Sequence, residues 1–416
     1  MTAYVAFVFG VVYLGMILGG LPFLQLDRTG VALLGAIALV GAGAVTPDEA
    51  VRSLHLPTLI LLFSFMVLSA QMRLGGFYNT VAAWASLLPV PPAVMVGALI
   101  FVVAGLSAVF TNDIVCLAMA PVLVEGCSRR KLDPVPFLLA LACAANIGSA
   151  ATLIGNPQNM LIGQKLGLSF AAYASEAVLP VAFGLLATWG TVVWRVGGRW
   201  RATEAAESYV AEQRQAVGAR LDRWQTTKGL AVASSLLVLF LFSSWPREVV
   251  ALAGAGLLLL SRRLHSSKML GLVDWELLVL FVGLFVVNHA FQQTGLADMA
   301  LRQMADLGVR LDQPAVLFGG VFLLSNLVSN VPAVMLLLPV ATHPLAGTLL
   351  ALVSTLAGNL LIVGSIANII VVDAAARRGI RIGWRRHAAI GVPVTLASLV
   401  ICAAVLGLRG GVFLAP

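Results

Sequence analysis

The chain has 416 residues, of which 60% are hydrophobic and 11% charged, with a formal net charge of +8. Soluble domains run near 45–50% apolar and about 25% charged, so this composition excludes a cytosolic enzyme, a disordered chain, a nucleic-acid binder and a secreted disulfide scaffold. The mean hydropathy of +0.98 agrees, and the excess positive charge suits basic loops facing anionic lipid. Cys116, Cys127, Cys143 and Cys402 lie in or beside apolar runs without metal-ligand spacing, and read as small hydrophobes.

The first apolar run, 3–24, has no basic segment before it and is long enough to span a bilayer, so it reads as a transmembrane helix rather than a cleaved signal. The apolar runs are continuous and do not alternate, which excludes a β-barrel. Further helices are predicted near 30–46 and 56–72, followed by a short amphipathic stretch at 76–88. Next come an apolar pair at 92–126 and helices near 134–165 and 172–195. A polar stretch from Arg199 to Lys228 reads as a solvated linker. The order then repeats, with helices near 229–245, 248–263 and 273–290 and an amphipathic stretch at 294–308. An apolar pair at 314–342 and helices near 346–372 and 388–408 complete the second half. The expected domains are therefore a first repeat over 1–198, a linker over 199–228 and a second repeat over 229–416.

The halves also match by motif. Thr111-Asn112-Asp113 precedes a run ending at Pro121, and Ser329-Asn330-Val331 precedes a run ending at Pro339 at the same distance. Further on, the segment from Asn146 through Ser149, Thr152, Gly155, Asn156 and Gln158 to Asn159 parallels the segment from Thr355 through Gly358, Asn359, Gly364 and Ser365 to Asn368. Polar interruptions repeated in matching apolar segments are the mark of a repeat-built secondary transporter.

Charge asymmetry supplies the topology. If 92–126 and 314–342 are re-entrant hairpins, each half crosses the membrane five times and the halves are inverted. Twenty of the 26 Lys and Arg residues then fall on one side, which the positive-inside rule makes cytoplasmic. Both termini are expected outside and the linker in the cytoplasm. Re-entrance has a chemical argument too. A carboxylate at the depth of Asp113 costs a few kcal/mol and needs partners or water. Irregular backbone is tolerated at that depth only inside protein or beside a water-filled cavity.

These residues resemble a family. The paired tip motifs and paired Gly/Asn-rich breaks are similar to the ion transporter superfamily, which holds divalent anion/sodium symporters, citrate transporters, arsenite efflux permeases and NhaD-like sodium/proton antiporters. The Asn112-Asp113 pair, Asn330-Val331-Pro332 and the two breaks look most like the arsenite-permease branch. The resemblance implies an all-α membrane protein of two inverted repeats, each with five transmembrane helices, one re-entrant hairpin and one broken helix. It also implies an elevator-type motion and a homodimer. Sodium-coupled dicarboxylate members carry Ser-Asn-Thr at both tips, and this chain departs from that pattern at each tip.

The expected function is secondary active transport of a small anion or oxyanion, arsenite-like, inorganic or carboxylate, coupled to protons. Thr111, Asn112, Asp113, Asn146, Ser149, Thr152, Gly155, Asn156, Gln158, Asn159, Ser329, Asn330, Gly358, Asn359, Gly364, Ser365 and Asn368 are the candidate site residues, with Asp113 as proton carrier. A sodium/proton antiporter and a sodium-coupled dicarboxylate symporter are the alternatives, with Na⁺ at Asn112, Asp113 and Asn330. A membrane-embedded enzyme would need GxSxG, HExxH or paired intramembrane aspartates, and the sequence has none. It has no P-loop either, so any ATP drive would come from an ATPase partner subunit. The expected cofactor is none beyond the coupling ion, H⁺ or Na⁺.

Other polar residues have plainer readings. Asp373 beside Arg377 and Arg378, and Glu125 beside Arg129 and Arg130, read as interfacial ion pairs. Asp274 and Glu276 open a helix. Asn288 and His289 sit at the end of one, and His289 reads as a hydrogen-bonded or interfacial histidine. Trp194, Trp200, Trp245, Trp275 and Trp384 mark membrane edges.

Overall fold

In the computed structural model, the structure describes residues 1–21, 24–201 and 221–410. The first half forms α1 (Thr2–Leu18), α2 (Arg28–Gly41), α3 (Pro47–Ser53), α4 (Leu56–Leu74) and α5 (Phe77–Leu87). It continues with α6 (Pro92–Val109), α7 (Asn112–Arg129), α8 (Pro134–Ser149), α9 (Pro157–Lys165) and α10 (Phe170–Val196). The second half forms α11 (Arg223–Phe242), α12 (Arg247–Leu259), α13 (Ser266–Leu270), α14 (Trp275–Gln293) and α15 (Leu296–Asp306). Then follow α16 (Pro314–Val328), α17 (Asn330–Leu337), α18 (Ala346–Ala357), α19 (Ile366–Ala376) and α20 (Trp384–Gly410). Among the described residues, six helices are long and apolar enough to cross a membrane: α4, α6, α10, α11, α14 and α20.

The ends of these helices differ from the hydropathy reading where local chemistry overrides it. The first run, read to residue 24, stops at Leu18 because Gly19 turns left-handed at φ 82° and its N–H bonds back to the Gly15 carbonyl. A two-residue antiparallel pair, Gly20–Leu21 with Leu26–Asp27, then turns the chain. The Asp27 carboxylate accepts from the Gly30 N–H and caps α2. Helix α3 is an addition built on a capping box, in which Thr46 accepts from the Glu49 N–H and the Glu49 carboxylate accepts from the Thr46 N–H. Helix α11 starts at Arg223, inside the stretch read as linker, with Asp222 as its cap. The remainder of that linker, 202–220, lies outside the described residues.

Packing between the halves is reciprocal. Helix α4 packs on α12, and α14, which holds the place of α4 in the second half, packs on α2. Helix α7 packs on α19 while α17 packs on α9, α6 packs on α8 while α16 packs on α18, and α10 packs on α20. The middle of the molecule is made of α8 and α18, whose residues are buried along their whole lengths. A helix apolar all round has no solvent face and must sit inside. Large apolar side chains are exposed at the periphery, among them Phe7, Val94, Phe183, Val238 and Val400, and so broad an exposed apolar surface needs lipid against it.

Helix ends gather in two sets. Arg130 donates to the Leu88 and Val90 carbonyls, Asp222 N–H to Gly75, Lys228 to Leu258 and Leu260, and Arg195 to Ala389. A separate set joins Arg247 to the Gly163 carbonyl, Gln164 to Glu248 and Thr348 to Glu176. The ion pairs read from the sequence are present, Arg129–Glu125 at 2.5 Å with Glu125 half-buried, and Arg377–Asp373 at 2.8 Å, largely exposed. Asp274 caps α14 by accepting from the Leu277 N–H, and His289 contacts Gln293 at 3.0 Å.

Candidate functional site

Four interruptions meet in the interior. Helices α6 and α7 are separated only by Phe110 and Thr111, and α16 and α17 only by Ser329. Helices α8 and α9 are separated by residues 150–156, and α18 and α19 by residues 358–365. Each break has its own local cause. Asn156, extended at φ −152°, caps α9 by accepting from the Asn159 N–H, and Pro157 fills the first helical position. Ser365 caps α19 by accepting from the Ala367 N–H. Gly155 lets the first hairpin tip come close: its carbonyl accepts from the Asn112 N–H at 3.2 Å, and a Cβ there would run into the Ser107 and Ser149 carbonyl oxygens. Helix N-termini at Asn112, Pro157, Asn330 and Ile366 converge with the C-termini of α6, α8, α16 and α18. Such an assembly offers N–H groups to an anion and carbonyls to a cation.

Asn146 is the hub. Its Oδ1 accepts from Asn112 Nδ2 at 3.1 Å and from Ser365 Oγ at 2.9 Å. Its Nδ2 donates to Asn359 Oδ1 at 2.8 Å and to Asn368 Oδ1 at 3.1 Å. An amide has two donor hydrogens and two lone pairs, so Asn146 is fully used and its orientation is fixed. Asn368 is held in turn by donating to the Gly358 and Leu361 carbonyls.

A second hub mirrors the first. Thr355 occupies the position matched to Asn146, and its Oγ1 accepts from Asn156 Nδ2 and Gln158 Nε2, both at 3.2 Å, and lies 3.4 Å from Asn159 Oδ1. Asn146 of the first half thus bonds Ser365 and Asn368, while Thr355 of the second half bonds their counterparts Asn156 and Asn159. Ser149 donates to the Asn146 carbonyl and accepts from Asn156, and Thr152 donates to the Ala108 carbonyl on α6. Asn159 donates to the Thr152 carbonyl and to the Tyr173 hydroxyl, which donates to the Ala150 carbonyl.

The hairpin tips are less satisfied than the breaks. Buried Ser107 Oγ, Thr111 Oγ1 and Asn112 Oδ1 on the first hairpin lack hydrogen-bond partners. So do buried Ser325 Oγ, Asn326 Oδ1 and Asn330 Oδ1 on the second. Ser107 and Ser325 stand at matched positions, as do Asn112 and Asn330. Asn330 Nδ2 and Asn326 Oδ1 lie against Gly358 and Gly364, so that a Cβ on either glycine would meet them at 3.2 and 3.4 Å. Ser329 caps neither half by its side chain and sits at φ 78°, ψ 161°. Asp113 is half-buried in the first turn of α7, and among the described residues no hydrogen bond or ion pair engages its carboxylate.

The structure therefore joins Asn112, Asn146, Ser149, Thr152, Gly155, Asn156, Gln158, Asn159, Gly358, Asn359, Ser365 and Asn368 in one network. It places Thr111, Asn330 and Gly364 at the edge of that network. Asp113 and Ser329 stand at the tips without a bond into it. The motif reading passed over Thr355, Tyr173, Ser107, Ser325, Asn326 and His387, whose Nε2 lies 3.1 Å from the Asn359 carbonyl. Thr355 and the two serines carry a signal, their repeat-matched spacing. Tyr173 and His387 carry none.

Fold and site together describe a multi-pass membrane transporter, and the comparisons with known proteins agree. The chain belongs to the citrate transporter family, whose model matches residues 4–357. It is 30% identical to an uncharacterized transporter of Mycobacterium tuberculosis (strain ATCC 25618 / H37Rv), over 94% of this chain and 95% of that one. It is also 30% identical to the silicon efflux transporter LSI3 of Oryza sativa subsp. japonica, over 96% of each chain. Its fold is similar to that of the YdaH transporter of Alcanivorax borkumensis, with a TM-score of 0.54 at 14% identity, covering 100% of this chain and 98% of that one. The family and these relatives are transporters, not enzymes.

Proposed function

We propose that the protein is a proton-coupled secondary transporter of a small oxyanion or its weakly acidic parent, bound between the two hairpin tips and the two helix breaks. The observation that carries this reading is the matched set of unpartnered buried polar atoms, Ser107 with Ser325 and Asn112 with Asn330, beside a network whose hub, Asn146, is fully paired and in which Asn359 Nδ2 also lacks a partner. A buried polar group without a partner costs about 1–3 kcal/mol, and a hydroxylated substrate relieves that penalty at both tips together. The site is built of amides, hydroxyls and helix ends, with Asp113 as its carboxylate and no Lys or Arg among its described members. That chemistry suits a small oxo-acid of low charge, arsenite-like or silicate-like, better than a tricarboxylate. The name of the rice relative, a silicon efflux transporter, points the same way.

Asp113 takes up and releases the coupling proton in this reading. The reciprocal packing of the halves supports inverted repeats, and the elevator movement carries α6–α9 and α16–α19 past α1–α4 and α11–α14. The two sets of helix-end bonds coincide with the two sides expected from the basic residues, which supports a cytoplasmic linker, outside termini and residence in the cytoplasmic membrane. A homodimer is the assembly this reading takes. Sodium coupling at Asn112, Asp113 and Asn330 is the second reading, favoured by the helix C-terminal carbonyls that reach the same point.

The test is flux into proteoliposomes under an imposed pH gradient, with arsenite, silicic acid, succinate and citrate compared. Wild-type protein is expected to move an oxo-acid faster when the proton gradient is present. Asn146→Ala is expected to lower that flux at least tenfold, and Asp113→Asn to abolish its dependence on the gradient. Normal flux in Asn146→Ala overturns the site, and a Na⁺ requirement without a proton requirement overturns the coupling.

A further inference from the structure

A cavity separate from the hairpin tips lies between α9, α14 and α17, with Ser53 of α3 at its rim. Its volume is about 360 Å³, within the range of small-molecule sites. The lining is largely apolar, with Leu161, Leu166, Phe285, Met335, Leu338 and Pro339. Lys165, His289 and Gln292 also line it. The Lys165 ammonium sits 6.0 Å from the Phe285 ring centroid, and no hydrogen bond or ion pair among the described residues engages it. The nearby carboxylates are committed elsewhere. Glu49 closes the capping box of α3, and Glu248 accepts from Gln164. Asn288, also in the lining, is held by the Tyr13 hydroxyl and the Leu284 carbonyl.

An ammonium within a largely apolar lining recognises a ligand with a negative head and a compact apolar body. We infer that this cavity binds a small amphiphilic anion, its head on Lys165 and His289 and its body against Phe285, Met335 and Leu338. The occupant wedges α14 against α9 and α17, and so slows transport without competing for the tips. The effect on transport rests on the proposed function, but the binding does not.

The experiment uses the purified full chain in zwitterionic-lipid nanodiscs, titrated calorimetrically with benzoate and, as the neutral control of equal shape, benzyl alcohol. Benzoate is expected to bind with at least tenfold higher affinity than benzyl alcohol. Lys165→Met is expected to weaken benzoate at least tenfold, while Lys165→Arg, which keeps the charge, restores it. Asn146→Ala is expected to leave benzoate binding unchanged, so loss of transport and loss of this site are read separately. Equal affinity for acid and alcohol, or unchanged benzoate affinity in Lys165→Met, overturns the inference. An anionic headgroup shares this chemistry. If phosphatidylglycerol in the nanodisc blocks benzoate through Lys165, the natural occupant is a lipid. If it does not, the occupant is a free acid.

Discussion

At the scale of single residues, the molecule separates groups that are fully used from groups held in reserve. Asn146 spends every hydrogen-bonding valence on partners from both halves, whereas Asn112 and Asn330 each keep one carbonyl oxygen unpaired. Only the second kind can answer to a substrate. Titration gives another contrast. His55, just before α4, is half-buried with Nδ1 2.8 Å from Thr58 Oγ1, and its pKa is pushed down to about 4 by burial and then by the charge of Lys165, with Glu248 opposing. The folded state therefore binds fewer protons than the unfolded chain below the ordinary histidine value of 6.5. The stability His55 contributes is complete above that value and is lost as pH falls from it toward 4. The melting temperature is expected to drop across this window in wild type and to drop less in His55→Gln. Equal slopes for the two proteins would show that His55 is solvated in the folded state.

At the scale of elements, the two hairpin tips differ in strain. Thr111 turns the first tip at φ −62°, ψ 130°, ordinary extended backbone. Ser329 turns the second at φ 78°, ψ 161°, a region that essentially only glycine occupies and that costs about 1–3 kcal/mol for other residues. Ser329→Gly is expected to raise the melting temperature, because it removes the clash. Thr111→Gly, at the matched place, is expected to lower it through backbone entropy and the lost packing of a buried side chain. A lower melting temperature for both variants would mean that the Ser329 conformation is not strained. The breaks themselves were legible in the sequence, since Gly155 with Gly364 and Asn159 with Asn368 repeat at one spacing. Hydropathy overran the end of α1 because Leu21, Phe23 and Leu24 continue the apolar run, although Gly19-Gly20 followed by Pro22 marks a helix stop. Helix α3 is too short for hydropathy to register, although Thr46 and Glu49 carry its capping box. Asn146 was picked out by its motif, but its bonds to Asn359, Ser365 and Asn368 join positions more than 200 residues apart, which no local pattern encodes.

At the scale of the whole molecule, the departures from reciprocity are as informative as the reciprocity. Helix α4 packs on α9, but α14 has no comparable contact with α19. Helix α5 packs closely on α6 and α7, where Tyr78 meets Phe110 edge-on with ring centroids 5.7 Å apart, but α15 has no comparable contact with α16 or α17. Under the proposed alternating access, two halves of one design in two arrangements make up a single state, and exchanging the arrangements generates the opposite state from the same contacts. In that second state α15 is expected to lie against the tip of the second hairpin. Ala297 is the second residue of α15, as Tyr78 is of α5, and Val328 immediately precedes Ser329, as Phe110 precedes Thr111. In a background without the four native cysteines, the pair Ala297→Cys with Val328→Cys is therefore expected to cross-link in proteoliposomes supplied with substrate and a proton gradient. Cross-linking is expected to stop transport, and reduction to restore it. The pair Tyr78→Cys with Phe110→Cys is expected to cross-link at rest and to do so less during turnover. If the first pair stays uncross-linked while substrate is being moved, the halves do not exchange arrangements, and the asymmetry is a permanent feature of the fold.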